Sequence, residues 1–260
     1  MRRLFVFLLL LVPAMTFAGC SEGNEGPQTD LPETPGNPGN DDDDDDNPGT
    51  VVPGNGKILI AWFSRWGNTN YAAEVDATTG ASIIVDNGTR RGTTEMVARY
   101  IRTAVGGDLH LIETSEPYPT EFDDVRDQNH AEQAAGTLPA LKNRIENMDQ
   151  YDIVFIGYPN WALDVPQAIR SFLSSYDLSG KTVVPFCTHD GYGAGRTYNS
   201  VKEEATGANV LEGIAIEATD VPSAESQVQD WLERIGIERE ESQGASVRIT
   251  AGEHTFTIKK

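Results

Sequence analysis

From residue 57 to residue 235, short apolar runs alternate with stretches whose apolar positions recur at helical spacing. That alternation is the pattern of a parallel sheet covered by helices on both faces. Five runs predict strands, over 57–63, 108–114, 152–157, 181–187 and 209–216, and helices are predicted over 94–105, 138–148, 166–176, 196–206 and 223–235. Strands and helices in this order make a doubly wound three-layer α/β sandwich. Its ligands sit beyond the carboxyl ends of the strands, where the strand order reverses. The loops after the first, third and fourth strands are therefore where chemistry is expected.

The ends of the chain follow other patterns. Met1-Arg2-Arg3, an apolar run from Leu4 to Val12 and Phe17-Ala18-Gly19-Cys20 make an export signal. Its apolar run is shorter than the roughly 20 residues of a permanent span. Residues 21–55 are Gly, Pro, Asn and acidic residues with six consecutive aspartates, Asp41 to Asp46. They cannot bury a core and read as a disordered, self-repelling tether. The aspartate run lacks the central glycine and closing glutamate of a calcium loop. Beyond Gly236, residues 245–250 and 254–259 alternate like two strands around Ala251-Gly252-Glu253. A hairpin is marginal alone, so it either packs on the main domain or opens an incomplete β domain. The organisation is a leader over 1–20, a tether over 21–55, an α/β domain over 56–236 and a tail over 237–260.

Charge and cysteine content narrow the class. The 260 residues carry a formal net charge of -20, which argues against a nucleic-acid partner, since that needs basic phosphate contacts. Much of the charge lies in the tether. The two cysteines are Cys20 and Cys187; with Cys20 modified, no disulfide forms within the chain. Cys187 ends an apolar run and reads as a small core residue.

Three loops carry candidate chemistry. After the first strand comes Phe63-Ser64-Arg65-Trp66-Gly67-Asn68-Thr69. Its hydroxyls and backbone N–H groups can surround a phosphate without a lysine. An insertion over 70–91, itself containing a strand over 82–86 and a turn at Asn87-Gly88, delays the long helix, which follows Gly92-Thr93-Thr94. The positive helix end belongs at the phosphate. Either Gly92 to Thr94 supply the inner cradle with Ser64, or Gly67 to Thr69 open a short helix of their own. Capping by Thr93 and Thr94 is compatible with both. The loop after the third strand reads Tyr158-Pro159-Asn160-Trp161-Ala162-Leu163, and that after the fourth Thr188-His189-Asp190-Gly191-Tyr192-Gly193. Trp161 and Tyr192 offer flat apolar walls, and the glycines let backbone approach a ligand edge.

In this order the three loops resemble the flavodoxin-like FMN-binding family of short type. The resemblance implies a five-stranded sheet of order 2-1-3-4-5 with an insertion after strand 1, and FMN as cofactor. It implies contacts from Ser64, Arg65, Gly67, Asn68, Thr69, Gly92, Thr93, Thr94, Pro159, Asn160, Trp161, Ala162, Thr188, His189, Gly191, Tyr192 and Gly193. Electron transfer to a redox partner protein or a small-molecule acceptor follows as the leading function. An NAD(P)H:quinone-type oxidoreductase is the enzymatic alternative, though no dinucleotide fingerprint is visible. A surface binding module that has lost the flavin is the third reading, favoured by Ala162 and Leu163, where the family often carries tryptophan and glycine. Phe17 to Cys20 resemble a bacterial lipobox, which implies acylation of Cys20 and a lipid anchor at the periplasmic face of a membrane or at the cell surface.

No other constellation adds to this. His189-Asp190 lacks a nucleophile for a hydrolase dyad, and His110, His130 and His254 show no metal-ligand spacing. The acidic, aromatic stretch 116–133 reads as a loop that either covers the active face or has no function.

Overall fold

In a computed structural model of the chain, residues 57–71 and 82–237 are described, with the backbone of 240–241, 246–251 and 254–259 in addition. The leader, Cys20, the tether and the turn residues Gly252 and Glu253 lie outside the described residues.

Nine elements of the central domain come first in the chain: β1 (Ile58–Trp62), β2 (Ile83–Asp86), β3 (Thr89–Gly92), α1 (Thr93–Val105), β4 (Asp108–Leu111), α2 (Phe122–Ala135), β5 (Ile153–Pro159), α3 (Gln167–Ser174) and β6 (Thr182–His189). There follow α4 (Thr197–Glu204), β7 (Asn209–Val210), β8 (Ile214–Glu217) and α5 (Glu225–Arg234). The main sheet runs β4-β1-β5-β6-β7, with β8 also on β6. Its ladders are parallel. This is the expected α/β sandwich, with the strand order reversing beside β1.

Alternation along β1 explains the two cores. Ile58, Ile60 and Trp62 face α1 and α5, where Val97, Ile101, Val228 and Trp231 pack on them. Leu59, Ala61 and Phe63 face the other side with Ile169, Phe172 and Val201 of α3 and α4. Successive strand side chains point to opposite faces, so a strand covered twice reads as one continuous apolar run.

Three elements depart from the sequence reading. The expected strand 209–216 is two strands: Val183 pairs with Val210, but Phe186 pairs with Ile214, a register slip of one residue. Between them lies Pro185, which has no N–H for a neighbouring strand, and a bulge absorbs the mismatch. The expected helix 138–148 does not form. Ser115 N–H donates to Ala140 O and Lys142 N–H to Glu113 O, so this segment runs extended, and Leu141 and Ile145 pack on the core at helical spacing without a helix. A helix forms instead over Phe122–Ala135, the stretch read as a loop. Of its 14 residues only Val125 and Asn129 are buried, too few to mark a period.

The inserted strand and turn form as expected, and a second strand, β3, which the sequence reading did not include, completes a hairpin with them. Asn87 and Gly88 turn it with φ of 47° and 77°, the primed turn that matches strand twist. In the tail, β9 (Glu240–Glu241), β10 (Ser246–Ala251) and β11 (His254–Lys259) form a separate antiparallel sheet.

Candidate functional site

The site is built at the carboxyl ends of β1, β5 and β6. Past β1 the chain turns Ser64 towards α1. A Cβ on Gly92 would lie 2.2 Å from Ser64 Oγ and 3.0 Å from Ser64 Cβ, so only glycine lets the two segments meet. The hydroxyls of Thr94 and Thr188 share a hydrogen bond of 2.9 Å, and Thr93 Oγ1 lies 3.4 Å from the same oxygen. Ser64, Gly92, Thr93, Thr94 and Thr188 are thus gathered around the first turn of α1, whose N-cap is a glycine without a capping side chain. That turn carries the positive end of the helix dipole.

Gly67, Asn68 and Thr69 are not brought there. Asn68 Nδ2 donates to Ser64 O and Ile112 O, both at 2.9 Å, while its Oδ1 accepts from Thr114 N–H at 2.8 Å. With its amide committed, Asn68 ties the loop to the chain after β4, and Thr69 bridges to Tyr118. The second half of the interrupted loop, and not the first, therefore meets Ser64 at the start of α1.

Arg65 turns the other way. Its Nη2 donates to Thr120 O at 2.9 Å and Pro119 O at 3.3 Å, just ahead of α2, and its guanidinium lies over the Tyr71 ring. The residue is 2% exposed, yet Nε and Nη1 have no hydrogen-bond partner. Burial pushes its pKa down.

The loop after β5 is a two-residue turn closed by reciprocal Trp161–Asp164 backbone bonds of 3.0 and 3.1 Å. Its corner residues, Ala162 and Leu163, have φ of 53° and 64°. Neither is glycine, so each carries left-handed strain of about 1–2 kcal/mol. Leu163 is more than half exposed and buries little. Leu163→Gly is therefore expected to raise the unfolding free energy by about 0.5–1 kcal/mol after glycine's larger chain entropy is subtracted. Urea titration measures it; an unchanged or lower midpoint would mean that the turn is unstrained.

Trp161 stands edge-on to Phe63 and Tyr118, with ring centroids 5.3 and 5.1 Å away. Asn160 Nδ2 donates to Gly193 O at 2.6 Å, joining this loop to the next, and its Oδ1 is buried without a partner. Asp164 anchors the same junction. Its Oδ2 accepts from Arg170 Nη2 at 3.0 Å and lies 3.8 Å from Arg196 Nε, while Oδ1 accepts from Val165 N–H and the Ser200 hydroxyl. Arg170 also pairs with Glu204. At the end of β6, His189 Nδ1 is buried without a partner among the described residues, and in the loop that follows Tyr192 is 75% exposed. A Cβ on Gly195 would lie 2.5 Å from Leu163 O, so the two loops are in close backbone contact.

These loops enclose a cavity of about 360 Å³. Arg65, Ser82, Asn160, Trp161, Thr188 and His189 contribute to its inner lining. Its remaining wall is α2, through Phe122, Val125, Arg126, Asn129 and His130. Sequence reasoning assigned no residue of α2 to the site. Asn129, 3% exposed with Oδ1 unpartnered, is its most telling member.

Below the cavity, Cys187 is fully buried on β6, and burial pushes its thiol from 9.0 up to about 12. The folded protein holds that proton more tightly than the unfolded chain. The resulting stability is present below pH 9.0 and is lost as the pH rises through about 12. Tyr118 and Tyr158 are shifted upward by burial as well and act in the same sense. Denaturant titrations at stepped pH are expected to show this loss, reduced in Cys187→Ala. An equal alkaline loss in that variant would assign it to other groups.

A family model described as flavodoxin matches residues 82–235. The chain belongs to the flavodoxin family. The match begins after the first loop and includes Gly92 to Thr94. Among solved structures, a candidate flavoprotein from Bacteroides eggerthii is 31% identical, with a TM-score of 0.55, over 71% of this chain and 100% of that one. A second, from Bacteroides uniformis, is 24% identical over 69% of this chain and 99% of that one, with a TM-score of 0.53. A Lactobacillus acidophilus flavoprotein solved with FMN is 22% identical over 65% and 97% of the two chains, with a TM-score of 0.44. No curated protein matches the chain. Within the flavodoxin family's sandwich, no group of His, Cys, Asp and Glu among the described residues is placed to hold a metal. No described helix is long and apolar enough to cross a membrane.

Proposed function

We propose that the protein binds FMN at the cavity and serves as an electron-transfer flavoprotein carried on a lipid anchor outside the cytoplasm. The observation that carries the reading is the meeting of Ser64 with Gly92 at the first turn of α1, beside Thr94 and Thr188. Hydroxyls, first-turn N–H groups and the helix dipole together suit a phosphate dianion. The cavity, which Thr188 joins to that turn, offers Trp161 and Tyr192 to a flat ring, and Asn160 Oδ1 and His189 Nδ1 as buried polar atoms with no partner among the described residues. Buried polar atoms of this kind are rare unless a ligand or water satisfies them. Membership of the flavodoxin family supports the same cofactor.

Bound FMN supplies one- and two-electron chemistry. The chain's share is to orient it. The cradle fixes the phosphate, Trp161 is held by Phe63 and Tyr118, and Asn160 locks the two ring loops together through Gly193. The anchor rests on Phe17 to Cys20, and no nucleic-acid partner fits a net charge of -20.

Purified full-length protein is expected to be yellow and to release FMN on denaturation. Colourless protein that ignores added FMN would sink the cofactor reading. Turnover of NAD(P)H with a quinone separates a reductase from a carrier. Cys20→Ser is expected to move the protein from the membrane to the soluble fraction, and unchanged partitioning would remove the anchor.

A further inference from the structure

Two polar groups in the cavity have no task in the cofactor site just described. Nε and Nη1 of Arg65 and Oδ1 of Asn129 are buried and unpartnered. Both belong to the α2 side. Arg65 is held there by the carbonyls of Pro119 and Thr120, and Asn129 stands on the helix itself. Ser64, one residue earlier, turns to α1, so the cradle and the Arg65 guanidinium diverge from adjacent positions.

The lining has a charge sign opposite to that of the protein. Arg65 and Arg126 line the cavity against one carboxylate, Asp190, in a chain of net charge -20. Arg126 is balanced by Asp123 and Asp127; Arg65 forms no salt bridge among the described residues and feels Glu121 only at longer range. The rim is apolar. Five large hydrophobic residues are exposed among those described, and three of them, Phe122, Leu163 and Tyr192, line this cavity. An apolar mouth over an unpaired buried cation and an unpaired amide oxygen is complementary to a planar ligand with an oxyanion and a hydrogen-bond donor.

We infer that the α2 side of the cavity is a second subsite, for a small planar aromatic anion that also carries a hydroxyl or amino group, of the kind a hydroxyarene sulfonate or carboxylate represents. The ring lies against Phe122 and Leu163, the oxyanion pairs with Arg65 and a ligand O–H or N–H donates to Asn129. The inference rests on the FMN reading, which places the cofactor phosphate at α1 and leaves Arg65 for another ligand.

The full-length protein, without flavin and saturated with FMN, is titrated calorimetrically with 6-hydroxynaphthalene-2-sulfonate, with 2-naphthol, which lacks the oxyanion, and with naphthalene-2-sulfonate, which lacks the O–H donor. The hydroxysulfonate is expected to bind about tenfold more tightly than 2-naphthol, the worth of one charge-assisted hydrogen bond, and severalfold more tightly than naphthalene-2-sulfonate. Arg65→Gln is expected to erase the first preference and Asn129→Leu the second, and Arg65→Lys to keep part of the first. Thermal melts identify any variant that fails to fold, and Asn129→Leu, which keeps the branched shape, then decides. Equal affinities for the three probes would overturn the inference, as would preferences that survive these substitutions. So would a selective loss of FMN over riboflavin in Arg65→Gln, which would assign the guanidinium to the cofactor phosphate. If the protein binds no FMN yet keeps both preferences and their dependence on Arg65 and Asn129, the functional reading falls and the subsite stands.

Discussion

Asp164→Ala is expected to lower the unfolding free energy by about 3 kcal/mol, the lower end of the cost of breaking a buried ion pair, because this pair keeps 16% and 19% of its side-chain surface exposed. For a domain of this size that corresponds to roughly 10 °C in Tm. Asp164 accepts from Arg170, Val165 and Ser200 and lies near Arg196, so one carboxylate ties the loop after β5 to α3 and α4. Removing it leaves Arg170 with Glu204 alone, a further reason for the lower figure. The loss should reach the site, because Trp161 and Asp164 close the same turn. Asp164→Asn keeps the bonds from Val165 and Ser200 and should fall between the two. Denaturant titration and FMN titration measure both effects; a variant with wild-type stability would show that the arginines hold the loop without Asp164.

Gly92→Ala is expected to weaken FMN binding by about a hundredfold, the equivalent of an overpacking penalty of about 1–3 kcal/mol. The backbone at Gly92 has φ -73° and ψ 144°, which any residue adopts, so the cost is steric. The methyl would meet Ser64 Cβ at 3.0 Å and Trp66 Cβ at 3.3 Å as well as the Ser64 hydroxyl. A rotamer change alone does not relieve those contacts. Riboflavin, which lacks the phosphate, should lose much less. Equal losses for the two flavins, or none for FMN, would remove the phosphate from this junction.

How much of this was legible differs from loop to loop. The strands were readable because each apolar run is buried on both faces, and the segments that hold Trp161 and His189 could be placed because each follows its run directly. The meeting of Ser64 with the start of α1 was half legible. Ser64 and Gly92 are separated by an insertion, and nothing local to Gly67-Asn68-Thr69 says that the Asn68 amide is committed to Ile112 and Thr114. The α2 wall was not legible at all. A helix that buries only Val125 and Asn129 has no period, and the neighbouring segment over 138–148 has a helical period that its extended contacts with Glu113 and Ser115 override.

The sequence by itself determined the α/β class, the turn at Asn87-Gly88 and which loops follow the first, third and fourth strands, while the sheet order was what the resemblance of those loops to the flavodoxin-like family implied. The class and the turn follow from local rules of periodicity and turn chemistry. Tertiary structure alone decided which half of the interrupted loop meets Ser64, that Arg65 turns away from the cradle, and that α2 closes the cavity. Those outcomes depend on close approach and on hydrogen-bond satisfaction between segments far apart in the chain, and residue type carries no record of a partner's distance.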